Sequence, residues 1–157
     1  VPHLTAGLST WTGVKWGTEN QVVWECVLRT GSAVTAQIIW AGLKLTNTSV
    51  VATDNDQVMF RYSTAIDSYW RAVYSIGGVD VQVDTGIAAA ADTNYYFRIE
   101  IDSARKAHFF FNDKEVASST ALTNDVDLIP YIGIQDTGAA AKHMIVCQEK
   151  ISRIIYE

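Results

Sequence analysis

From residue 21 onward, apolar and polar positions alternate in segment after segment. In QVVWECVLR, residues 21–29, Val22, Trp24, Cys26 and Leu28 fall on one face and Val23, Glu25, Val27 and Arg29 on the other. That period of two is the mark of a strand with one buried face. The segments QIIWAGLKL, QVMFRYS, YWRAVYS, VDVQVD, YYFRIEID, KAHFFFN, PYIGIQ, KHMIVCQ and ISRIIYE repeat it with β-branched and aromatic residues,. No window holds an apolar stripe at i, i+3, i+4, i+7. Strands at this spacing, joined by TNT, TDND, GG and DTG turns, predict an all-β fold, a two-sheet antiparallel sandwich or jelly roll, with a closed barrel as the alternative,. The alanine-rich stretches GIAAAADTN (86–94) and TGAAAK (137–142) are short and flanked by Gly, Asp or Thr, which predicts crossing loops rather than helices,. Without repeats or a Pro- or Ser-rich linker, residues 1–157 read as one domain. The first residue is Val1 rather than methionine, so this domain is expected to be processed or cut from a longer chain.

The stretch FRIEIDSARKAHFFFND, residues 97–113, decides between chemistry and architecture. Folded as a hairpin about Ala104, it sets Asp102 against Lys106, Glu100 against His108, Ile99 against Phe109 and Phe97 against Phe111, so apolar meets apolar and acid meets base,. Phe97, Ile99, Ile101, Ala107, Phe109 and Phe111 then form a core face, and Phe110 points outward with Glu100 and His108. The tripeptide EID also opens the catalytic strand of laminarinase-like glucanases. A retaining glycosidase needs a second carboxyl about 5 Å from the first. The next positions on the face of Glu100 are Asp102 and Ala104, with Arg105 following, and no acid–nucleophile pair continues the pattern. No catalytic residue is assigned, and the expected class is non-enzymatic.

Composition narrows the partners. The chain has 157 residues, 48% of them hydrophobic, 18% charged, with a net charge of −5. There is no basic stripe to grip nucleic acid and no apolar run near the ~20 residues of a membrane span. Cys26 and Cys147 lack metal-ligand spacing and sit in apolar runs, which predicts buried free thiols and leaves a disulfide between them open,. His3, His108 and His143 share no spacing, and Gly77–Gly78 lies between two strands as a hairpin turn rather than a phosphate cradle,.

FRIEID…HFFFNDKEV, with its tight turn returning through Val116, resembles the corresponding hairpin of concanavalin A-like and laminin G-like β-sandwiches. IIWAGLKLTNTSVVATDNDQVMFRY, the stretch from Trp70 to GGVDVQVDTGI, YYFRIEID and LIPYIGIQ are similar to a module of tailed-bacteriophage structural proteins. This second likeness implies a virion component, a capsid decoration, fibre or tail-associated domain that works by self-association and by binding other virion proteins. The concanavalin A-like likeness supports an alternative of another class, a lectin-like module that binds carbohydrate on a fibre or spike.

Three sets of residues are candidate sites. Asp54, Asn55 and Asp56 of TDND carry hard oxygen donors at a spacing suited to calcium, or simply cap a tight turn,. Trp11, Trp16 and Trp40, the last out of phase with Ile39, Ala41 and Leu43, offer aromatic faces for sugar or for a partner; Trp24 and Trp70 read as core,. Phe110, Val23, Val27, Ile38 and Trp40 are apolar on outward strand faces and predict a homo-oligomer, with a trimer expected,.

Overall fold

The computed structural model describes residues 3–5, 16–46 and 54–155. Their elements are, in chain order, β1 (His3–Thr5), β2 (Trp16–Gly17), a single 3-10 turn (Thr18–Asn20), β3 (Val23–Thr30), β4 (Gln37–Lys44), β5 (Gln57–Ser63), β6 (Tyr69–Ile76), β7 (Val79–Ala88), β8 (Asn94–Ile101), β9 (Lys106–Phe111), β10 (Lys114–Ala121), β11 (Asp127–Asp136) and β12 (Met144–Ser152). They form two antiparallel sheets. The larger has seven strands, in the order β1-β11-β4-β5-β6-β7, with β2 also paired to β11; the smaller has five, in the order β10-β9-β8-β3-β12. The predicted two-sheet jelly roll is therefore the fold observed.

The inner faces are the ones the alternation marks. Trp24, Cys26 and Leu28 of β3 and Phe97, Ile99 and Ile101 of β8 meet Ile39, Ala41 and Leu43 of β4 and Phe60 and Tyr62 of β5, all within 3% of complete burial. At the centre Trp70 lies 4.9 Å from the Phe97 ring and 5.3 Å from that of Tyr95, while Phe60 stacks on Phe97 at 4.5 Å. Edge and offset contacts of this kind hold each ring in one orientation.

The predicted hairpin registers hold residue for residue. Phe97 faces Phe111, Ile99 faces Phe109 and Glu100 faces His108. The turn is closed by Asp102, whose backbone N–H donates to the Lys106 carbonyl at 2.9 Å, with Arg105 left-handed at φ 61°. Asn112 and Asp113, at φ 46° and 65°, make the next two-residue turn, and Gly77–Gly78, at φ 58° and 85°, make the one between β6 and β7,. The loop after β7 is pinned where the sequence looks softest: the Tyr95 hydroxyl accepts from the Ala90 N–H at 2.6 Å and donates to the Ala88 carbonyl at 3.1 Å.

Four expectations change. The return from the NDKE turn is a full strand, β10, although LysGluValAlaSerSerThrAla lacks clean alternation; it lies at a sheet edge, where one neighbour suffices. The segments KHMIVCQ and ISRIIYE are not separate strands: β12 runs unbroken to Ser152, a bulge between Val146 and Gln148 absorbing the phase change, and residues 153–155 have left the sheet,. Cys147 sits in that bulge and is exposed, whereas Cys26 is buried as expected; both thiols are free. Trp40 points outward, as its phase predicts, but is 0% exposed because it packs with Met59, Val73 and Tyr131 in a second cluster. It therefore does not contribute an exposed apolar surface.

Pro130 sits within β11, opposite Leu43 of β4. Its missing N–H costs little there, because on the other side of β11 the partner changes from β2, at Asp127–Leu128, to β1, at Tyr131–Gly133,.

Candidate functional site on the outer face of the large sheet

Cross-strand register lays out the outer face of the seven-stranded sheet in rows. One row runs Gly133, Trp40, Arg61, Arg71, Asp84 across β11, β4, β5, β6 and β7. The next contains Tyr131, Gly42, Met59 and Val73, and a third runs Lys44, Gln57, Ser75, Asp80. Trp40 and Tyr131 lie parallel, with centroids 6.1 Å apart. Gly133 makes room for the indole: a Cβ there would come within 2.7 Å of Trp40 Cε2.

Three cations stand on this face among the carboxylates of Asp54, Asp67, Asp80 and Asp84. Lys44, fully buried, pairs with Asp54 at 3.7 Å and lies 4.6 Å from the centroid of the Tyr131 ring. Burial lowers its pKa, and Asp54 only partly restores it,. Arg71 is held by Asp67 and, at 3.5 Å, by Asp84. Arg61 differs from both. It is half-buried and no carboxylate among the described residues lies within ion-pair distance, while its buried Nε, like that of Arg71, has no hydrogen-bond partner. Burial lowers its pKa, with the charge of Asp80 opposing that shift and Arg71 adding to it. A guanidinium stays charged at neutral pH all the same.

The sequence-predicted residues are dispersed. Asp54 accepts from the Thr46 N–H at 3.0 Å and from Thr46 Oγ1 at 2.9 Å in addition to its ion pair with Lys44. Asn55 is exposed, and its backbone carbonyl accepts from the Gly78 N–H at 2.8 Å. Asp56 accepts from the Thr123 hydroxyl. The two carboxylates thus serve different neighbours, and among the described residues no group of three or more His, Cys, Asp or Glu is placed to hold a metal ion. Trp11 lies outside the described residues. Trp16 is half-buried, with Arg153 over its ring at 5.6 Å. Phe110 faces outward on the other sheet, beneath the Arg98 guanidinium at 4.2 Å. Arg61, Lys44 and Gln57 went unnoticed in the sequence, although the alternation in QVMFRY already sets Gln57 and Arg61 opposite the core.

On the outer face of the five-stranded sheet several charged side chains pair with one another. Glu25 takes a 2.5 Å hydrogen bond from Tyr96, whose phenol is pushed up to about 12 by it, and a 3.1 Å ion pair from Lys150. Arg98 pairs with Glu100 at 3.2 Å. The acid–base contact expected between Glu100 and His108 is replaced: His108 meets Glu115 at 2.8 Å through Nδ1 and Asp102 at 3.2 Å through Nε2. Ser152 shares a hollow with His108 and Asp102, but Val23 and Glu100 stand between them, so three strand spacings, about 14 Å, separate serine from histidine,. A nucleophilic triad is excluded there.

His108 has a testable consequence. Hydrogen bonds that its ring N–H groups donate to Glu115 and then Asp102 raise its pKa in the fold, so its contribution to stability is complete below the unfolded value of about 6.5 and is lost as pH rises through the higher folded value,. Asp102, lowered first by the Lys106 backbone N–H, behaves oppositely, and its contribution fades only in acid. Urea midpoints measured from about pH 6 to about pH 8 should therefore fall for the wild type relative to His108→Gln. Parallel curves would show that the two contacts carry no charge.

No protein-family model matches the chain, and no curated protein matches it. Solved structures do. Alginate lyase A1-II', a member of polysaccharide lyase family 7, superposes with a TM-score of 0.69 at 14% identity, over 97% of this chain and 70% of that one. A Bacillus licheniformis β-glucanase gives 0.56 at 11% identity, over 80% and 56%. A galectin from Caenorhabditis elegans gives 0.52 at 15% identity, over 96% of both chains. These likenesses overturn two expectations, that the chain is a virion structural component and that it is not an enzyme: these solved structures are an alginate lyase, a β-glucanase and a galectin, and none of the three is a virion component. At these identities it is the fold that is shared, a concanavalin-like jelly-roll β-sandwich.

Proposed function

We propose that this chain is a carbohydrate-active domain that meets an acidic polysaccharide at the partly exposed Arg61–Arg71 side of its seven-stranded sheet, with Arg61 contacting a carboxylate of the sugar chain. The observation that carries this reading is Arg61 itself, a half-buried guanidinium next to Arg71 with no carboxylate of its own among the described residues. The fold supports it, since its solved counterparts include an alginate lyase, a glucanase and a galectin. Arg71 is already held between Asp67 and Asp84, so it does not compete with Arg61 for the same anion. The contact serves processing as well as binding. A guanidinium on a uronate carboxylate neutralises its charge and fixes its orientation.

Titration calorimetry with oligouronates and with neutral glucan oligosaccharides tests this, and the same mixtures are followed for unsaturated chain ends as a sign of cleavage. Binding should be confined to the acidic set. Arg61→Ala should weaken it by about 10- to 100-fold, the value of a charge-assisted hydrogen bond, with the melting temperature unchanged. Equal affinity for both sets, or an Arg61→Ala variant that binds as the wild type does, would overturn the reading.

A further inference from the structure

We infer that Tyr69 is a sugar-stacking residue beside Arg61 and that the acidic chain leaves Arg61 along β6, over the Tyr69 ring; this rests on the acidic-glycan reading above. The surroundings of Arg61 leave few ways out. Across β4 stands Trp40, one row back along β5 stands Met59 and diagonally on β6 stands Val73, each 0% exposed. Directly across on β6 stands Arg71, and beyond it on β7 the carboxylate of Asp84, 48% exposed, which repels a polyanion that runs on across the sheet,. The remaining neighbours are Ser63, which is buried, and Tyr69, which is 40% exposed. Tyr69 lies two residues before Arg71 on the same face of β6, diagonal to Arg61, with their Cα atoms about 7–8 Å apart,.

The backbone fixes this corner. Trp70 is locked in the core, so alternation turns Tyr69 outward,. The Tyr69 N–H donates to Asp67 Oδ1 at 2.8 Å while the other oxygen of Asp67 holds Arg71, so one carboxylate positions both the start of β6 and the neighbouring guanidinium, and little of its charge is left over. Alongside, β7 bulges: Tyr69 pairs with Ala88 and Arg71 with Asp84, which sets three residues of β7 against Trp70 alone,. Gly86 in that bulge, at φ 71°, has open space where a Cβ would project. Among the described residues the Tyr69 ring stacks on no other ring and its hydroxyl makes no hydrogen bond. A ligand that lays C–H groups on this ring while a carboxylate of the same chain meets Arg61 is a glycan containing uronate, since a sugar ring has the apolar face and the uronate the charge.

Calorimetry with a tetrameric oligouronate compares wild type, Tyr69→Ala and Tyr69→Phe. Tyr69→Ala should bind about tenfold more weakly, and Tyr69→Phe, which keeps the ring face without the hydroxyl, should bind as wild type does. Both should melt with wild type, because the side chain is exposed,. If Tyr69→Ala melts early, Tyr69→Leu, apolar but without a flat face, decides in its place. Full affinity in the ringless variant, with Arg61→Ala still weakened, would overturn this inference and leave the Arg61 reading standing. A loss in Tyr69→Phe equal to that in Tyr69→Ala would assign the contact to the hydroxyl and would overturn stacking as well. Wild type that binds no oligouronate would overturn both readings, and Arg61→Ala would then change nothing.

Discussion

Replacing Trp70 by alanine should destabilise the domain by about 3–5 kcal/mol, read as a lowered urea midpoint with an unchanged slope. Trp70 is fully buried between the sheets and touches Tyr62, Tyr95 and Phe97 with ring centroids 5.7, 5.3 and 4.9 Å away. Neighbours held by strand backbones on both sides cannot collapse into the space, so the cavity cost adds to the lost transfer energy. Trp70→Phe is the informative comparison. The indole Nε1 of Trp70 is buried without a hydrogen-bond partner, so phenylalanine leaves a smaller void and also removes an unsatisfied donor,. Its cost should be only about 1–2 kcal/mol. Equal losses for the two variants would show that ring volume contributes little at this position.

Breaking the Lys44–Asp54 pair should cost about as much, by a different route. Lys44 has no exposed side-chain surface and Asp54 has 4%. Lys44→Met leaves a buried carboxylate without its cation, which typically costs about 3–5 kcal/mol. Adding Asp54→Asn should recover most of that, because asparagine still accepts from the Thr46 N–H and no charge remains to be solvated,. A double-mutant cycle in urea measures the coupling directly. Additive losses would mean that Asp54 acts through Thr46 alone and that the ion pair adds nothing.

The order of these effects shows where the information in the chain resides. The strands, their inner faces and the hairpin registers are legible in the sequence because they depend on near neighbours. Alternation assigns Trp24, Phe97 and Phe109 to one side of their strands, and the short turn between β8 and β9 leaves a register that sets Ile99 against Phe109 and Phe97 against Phe111,. β10 was obscured because an edge strand with serine and threonine on both faces has no amphipathic signature.

Trp40 marks the boundary between the two kinds of knowledge. Its outward phase is written in QIIWAGLKL, but its burial is not, since that depends on Met59, Val73 and Tyr131 being delivered to the same face by three other strands. The candidate site lies wholly on the far side of that boundary. Arg61 and Arg71 are ten positions apart and Gln57 and Asp80 twenty-three, and nothing in their local sequence joins them. Alternation determined that each would leave the core. Only the pairing of β4, β5, β6 and β7 decided that they would share a face, that Asp67 and Asp84 would hold Arg71, and that Arg61 would be partly desolvated with no carboxylate in ion-pair distance among the described residues, because cross-strand register is set by the packing of whole sheets rather than by any one segment,.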